Sequence, residues 1–156
     1  MSSTKSSATL AILTFFLAII YVDTAEVKYK DCGSPAGIIK SITVDPCDDP
    51  SNIRLRKGHS AVVAVTFIPK KRTTSVKVVV QGMVYGMTYT LGLPNPDGCK
   101  NSGLVCDLIE NREATYRTVI PIKDSYPKLN IGIRLMLKDQ DGTNLVCAEM
   151  KGRITN

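Results

Sequence analysis

Five cysteines, one histidine and two short aspartate runs are the side chains here that most readily suggest catalytic or metal chemistry. A hydrolase needs a nucleophile and a base in contact, and a single imidazole removes most general-base schemes. His59, beside Lys57-Gly58 at what reads as a strand entrance, is therefore expected to be a surface-loop residue. Asp45, Asp48 and Asp49 surround Cys47, but calcium requires several oxygens converging at fixed spacing, and the run reads as a polar loop. Asp139-x-Asp141-Gly142 opens like a calcium loop, yet its glycine comes too early and no acidic residue closes it. The chain contains no phosphate-binding or dinucleotide glycine motif and no GxSxG. It has no N-x-S/T sequon either, so N-glycosylation is not expected. These observations point away from an enzyme, and no cofactor or metal is expected.

The cysteines Cys32, Cys47, Cys99, Cys106 and Cys147 all follow an apolar N-terminal run. Zinc fits them poorly, because no CxxC pair exists and His59 is remote from every cysteine in sequence. Disulfides are the natural use in an oxidising compartment, with one thiol left over from the odd count. Spacing leaves the pairing open, although Cys99 and Cys106 flank a short glycine-containing loop that a local bridge would close.

The N-terminus supplies that compartment. Lys5 in a Ser-rich start, the apolar run Leu10 to Val22 and the small residues Thr24 and Ala25 have the layout of a secretory signal peptide. The run is short for about 30 Å of hydrocarbon and lacks a basic stop-transfer flank. Residues 1–25 are thus expected to be a leader and 26–156 a single secreted domain, extracellular or in the endosomal or lysosomal lumen. The leader holds one Lys and one Asp, so its removal leaves the net charge at +6. Two basic clusters, Arg54-Arg56-Lys57 and Lys70-Lys71-Arg72, could dock an anionic membrane or an acidic partner. Nucleic acid is not expected, since the compartment is wrong for it and no aromatic residues interleave with either cluster.

Strand signals must position whatever this domain does. From Leu129 to Leu137 apolar residues alternate with wetter ones, giving one buried and one exposed face. Alternation or β-branched enrichment recurs at Gly37–Val44, Ala61–Phe67, Ser75–Leu91, Ala114–Ile122 and Leu145–Ile154, with a short strand near Val27–Tyr29. Asp141-Gly142 predicts a hairpin turn. In the long central run the apolar parity switches at Gln81-Gly82, which predicts a bulge. About seven strands with no helix predict an all-β, immunoglobulin-like two-sheet sandwich. Beyond the leader the domain has one Phe, Phe67, and no Trp, so its inner faces are mostly aliphatic. Composition alone does not distinguish a filled core from a cavity.

Several segments together carry a resemblance. KDCGS (Lys30 to Ser34), DPC (Asp45 to Cys47), LRKG (Leu55 to Gly58), PNPDGCKNSGLVC (Pro94 to Cys106), IPIKDSYP (Ile120 to Pro127) and LVCAE (Leu145 to Glu149) resemble the ML lipid-recognition domain. Within it, the match is to the soluble Niemann-Pick type C sterol carriers and their arthropod relatives. The resemblance covers essentially all of residues 26–156. It implies a sandwich splayed to hold a lipid between its sheets, and bridges Cys32–Cys147 and Cys99–Cys106. The family's third bridge would join Cys47 to a cysteine near Asn52 or Ile53; none is present, so Cys47 is expected to be a free thiol or an intermolecular partner.

The resemblance also implies a lining. Leu91, just before the proline-rich turn, and Ile122 and Tyr126 of IPIKDSYP are expected at the entrance. Val44, Leu55, Val63, Val65, Ile133 and Leu135 are expected deeper, by strand parity. In the sterol carriers the position of Leu91 is typically aromatic and a Trp faces it where Leu135 stands here, so a larger or differently shaped cavity is implied. Burying roughly 400 Å² of ligand surface at about 25 cal/mol per Å² contributes on the order of 10 kcal/mol before association costs. The expected function is a monomeric, non-enzymatic carrier of a sterol or similar apolar lipid to membranes or a receptor. The alternatives are an innate-immune protein recognising microbial glycolipid, a carrier of fatty acids or semiochemicals, and a sandwich with a filled core.

Overall fold

The computed structural model describes residues 25–156, and the expected leader lies outside them save for Ala25. Ten strands follow in chain order: β1 (Ala25–Glu26), β2 (Lys30–Asp31), β3 (Gly37–Asp45), β4 (Ile53–Arg56), β5 (Ser60–Pro69), β6 (Lys77–Val84), β7 (Met87–Leu91), β8 (Ala114–Pro121), β9 (Asn130–Lys138) and β10 (Asn144–Thr155). They form a four-stranded sheet in the order β1-β3-β5-β8 and a six-stranded sheet in the order β2-β10-β9-β6-β7, with β4 also on β10. Every pairing is antiparallel except β4 on β10.

Period-two patterning explains the layers. On β5, Ala61, Val63, Val65, Phe67 and Pro69 are buried while their neighbours are half-exposed, so one face points between the sheets. Its partners follow, with Val65 beside Ile42 and Tyr116. Near Gly37 the sheets approach closely, and a Cβ on that glycine would collide with the Leu145 carbonyl oxygen.

Two predicted elements are revised and a third element is added. The central run is a hairpin, β6–β7, whose register runs unbroken from Val80↔Leu91 to Val84↔Met87. Its parity switches because a two-residue turn, Tyr85-Gly86, intervenes with both residues at positive φ (49° and 79°). That is the backbone a tight antiparallel turn requires, and no bulge interrupts the β6–β9 pairing at Gln81-Gly82. Second, Val27–Tyr29 is the crossing between sheets, with β1 on one and β2 on the other. Val27 is buried during that crossing, and the Cys32 amide donates to the Cys147 carbonyl where it ends. Third, β4 adds a strand that a four-residue segment with two arginines did not signal.

The Asp141-Gly142 turn joins β9 to β10 around a buried carboxylate. Asp139 Oδ1 accepts from the Asp141 and Thr143 amides at 2.9 Å each, and Oδ2 meets Lys71 Nζ at 2.9 Å. Burial pushes the Asp139 pKa up, but the Lys71 ammonium and the two amides outweigh it, leaving it below the ordinary carboxylate value. A depressed folded-state pKa stabilises the fold above the unfolded value, about 3.9, and that contribution is lost as pH falls through the folded value. Asp139→Asn is therefore expected to cost about 1–3 kcal/mol at neutral pH. In urea titrations, its deficit against the parent should shrink in acid.

Candidate functional site

At one end of the sandwich the two inner faces do not meet. Phe67 and Tyr116 fill the other end, both essentially inaccessible to solvent. Moving along the same strands, the facing side chains become Val44, Ala61 and Val63 on one sheet and Val80 and Gly82 on the other. These are too short to span sheets about 10 Å apart, and a cavity of about 490 Å³ remains. Among the described residues no charged side chain is on its wall, and the only side-chain hydroxyls there are those of Tyr85, Tyr89 and Tyr126.

Each wall segment follows from its strand. Leu91, Tyr89 and Met87 stand opposite Val80, Gly82 and Val84 across the β6–β7 hairpin. Gly82 makes room for a neighbouring wall residue: a Cβ there would meet Ile131 Cδ1 at 2.8 Å. On β9, Ile131, Ile133 and Leu135 share the inward parity. Ile122 lies just past β8, where its amide donates to the His59 carbonyl and its carbonyl accepts from the Gly58 amide, both at 2.8 Å. Tyr126 closes the following turn, its amide donating to the Lys123 carbonyl. The mouth thus opens between β7 and the 121–129 segment, with Tyr85, Met87 and Tyr89 exposed beside it.

The structure brings together eight of the nine residues expected from the sequence: Leu91, Ile122, Tyr126, Val44, Leu55, Val63, Ile133 and Leu135. Val65 shares the parity of Val63 but lies one step toward the filled end, fully enclosed with Ile42 and Tyr116 as register partners. It belongs to the solid core. Ile53, Val80, Gly82, Tyr89, Met150 and Ile154 also form wall and were not anticipated. Val80 and Gly82 were legible on β6 by the parity that found Leu135. Ile53 was not, since nothing marked β4 as a strand.

The disulfides are Cys32–Cys147 and Cys99–Cys106, and Cys47 is free. Burial pushes the Cys47 thiol above its ordinary pKa, against a lowering contact from the Asp49 amide and with a further push from the Asp49 and Asp48 carboxylates. A thiol so held is mainly protonated at neutral pH and a slow nucleophile. His59 is an exposed loop residue between β4 and β5. Of the two basic clusters, Lys71 is committed to Asp139 and Asp141, and Arg72 to Asp107.

These features define an immunoglobulin-like sandwich hollowed at one end by an apolar cavity with a lateral mouth. The sequence profile of the ML domain matches residues 26–154, and the chain belongs to that family. It is 34% identical over 149 residues to NPC intracellular cholesterol transporter 2 of Mus musculus, covering 94% of this chain and 98% of that protein. It is 31% identical over 138 residues to NPC intracellular cholesterol transporter 2 homolog a of Drosophila melanogaster, covering 88% and 93%. Among solved structures, a Niemann-Pick type C2 protein from Japanese carpenter ant superposes with a TM-score of 0.77 at 23% identity, covering 82% of this chain and 99% of that one. That likeness supports the fold.

Proposed function

We propose that this protein is a secreted, non-enzymatic carrier that holds one sterol or similarly sized apolar lipid between its sheets. The observation that carries the reading is the cavity of about 490 Å³ with an apolar wall free of charged side chains. Its volume falls within the roughly 300–1,000 Å³ of small-molecule sites. Such a wall recognises shape and size, so discrimination among similar lipids is modest. The relatives named as cholesterol transporters point to sterol within that class. Two disulfides suit an oxidising compartment. Delivery to a membrane would proceed through the mouth, where Tyr85, Met87 and Tyr89 are exposed on one side and the 121–129 segment on the other carries the exposed Lys123 and Lys128.

The test is an organic extract of protein purified from a eukaryotic secretion host, analysed by mass spectrometry, with stripped protein titrated against a fluorescent sterol. Co-purified sterol and saturable one-to-one binding are expected. Retained fatty acid with no sterol binding would reassign the ligand, and protein free of lipid that binds neither would refute the carrier.

A further inference from the structure

We propose that a corner of the outer face of the six-stranded sheet, where Arg54, Arg56, Lys151 and Arg153 converge, binds a sulfated polysaccharide chain, whatever occupies the cavity. Ile53 and Leu55 on β4, and Met150 and Ile154 on β10, line the cavity. Strand alternation therefore turns the four cations to the opposite face. Arg54 and Arg153 are register partners in the parallel pairing, about 4.8 Å apart at their Cα atoms. Lys151 precedes Arg153 by two residues and Arg56 follows Arg54 by two, so the row extends about 13 Å along the strands.

The row is short of counter-charge. Asp48 serves both arginines of β4, 3.1 Å from Arg54 and 4.0 Å from Arg56. Glu149, the nearest carboxylate on β10, is taken by Arg134 at 2.6 and 2.9 Å. Among the described residues Lys151 and Arg153 have no ion pair. Beside them on β9 stand Gly132 and Asn130, which leaves an uncharged shelf next to the cations.

A flat row of this kind fits an extended polyanion whose charges repeat along its length. Three of the four cations are arginines, whose planar forks match sulfate and carboxylate oxygens in pairs. A lipid surface fits less well. No exposed large apolar side chain among the described residues belongs to β4, β9 or β10, whereas Tyr85, Met87 and Tyr89 stand at the cavity mouth. Among the described residues β4, β9 and β10 carry no aromatic side chain on which nucleic-acid bases could stack.

The experiment titrates the stripped protein with a size-defined heparin octasaccharide by calorimetry across a salt series. The parent is expected to bind, with affinity falling as salt rises. Lys151→Gln/Arg153→Gln should weaken binding about tenfold and reduce the log–log salt slope by about two. Lys77→Gln/Lys138→Gln, on the same face at its far end, should leave binding unchanged. Failure of the parent to bind, or equal losses in both pairs, overturns the proposal. So does cluster-dependent binding to phosphatidylserine vesicles as tight as to the octasaccharide, since it reassigns the surface to membrane. Should the first pair fail to fold, amide shift mapping on the parent decides. Perturbations centred on residues 54, 56, 151 and 153 support the site, and a centre elsewhere refutes it.

Discussion

Ile122→Glu is expected to weaken lipid binding by at least about 100-fold while leaving the β-sheet circular dichroism spectrum intact. Ile122 is nearly enclosed, 6% exposed, and its side chain forms wall close to the mouth. Its backbone is held to Gly58 and His59 by hydrogen bonds that do not involve the side chain, so the local fold should survive the exchange. In the empty cavity a carboxylate keeps water reaching it through the mouth. A bound lipid expels that water and leaves the charge without a partner, because no cationic side chain lies on the wall. The effective penalty is several kcal/mol, and each 1.4 kcal/mol is about tenfold in affinity. Fluorescent-sterol titration measures the loss. Binding should recover as pH falls toward the carboxyl's own pKa, about 4.3 in water and higher beside a lipid, and Ile122→Val should bind within a few-fold of the parent. Unchanged affinity in Ile122→Glu would move the ligand away from this mouth.

The site was more legible than the strand inventory, for a physical reason. Parity along one strand identifies which side chains face inward, and Val44, Val63, Ile133 and Leu135 follow from it directly. Parity does not say where facing side chains stop touching, since that depends on what stands opposite on the other sheet. Parity alone therefore puts Val65 on the wall, two residues from Val63 on the same face, whereas Ile42 and Tyr116 beside it belong to the filled end. Gly82 shows the converse. Read along the chain, a glycine at a change of parity suggests a bulge, while in the folded hairpin it lies opposite Tyr89 and Ile133 in unbroken register and admits the Ile131 side chain. The apolar pattern also continued through Tyr85-Gly86, concealing a turn whose only local signal was one glycine. The short β1, β2 and β4 strands are held by pairing with β3 and β10, so their own residues carry little of the signal.

Removing the Cys32–Cys147 bridge should destabilise the protein about twice as much as removing Cys99–Cys106. The first closes a loop of sequence separation 115 and the second one of 7. Chain-entropy arguments place these at about 4.8 and about 2.5 kcal/mol. The structure adds a reason for the larger loss. Cys32 ends the segment that crosses between sheets, where Lys30 and Asp31 make a two-residue pairing with β10 too short to hold the strand alone. Cys32→Ser/Cys147→Ser should therefore free β2 and expose Val27, which is buried beneath the crossing. Cys99→Ser/Cys106→Ser retains several anchors in its loop, among them the Gly98 amide on the Val76 carbonyl and the Cys99 amide on Asp97. Urea unfolding of the two double variants measures both losses. Equal deficits would mean that the crossing segment is held by burial of Val27 and by the hydrogen bond its amide donates to the Ile42 carbonyl rather than by the bridge.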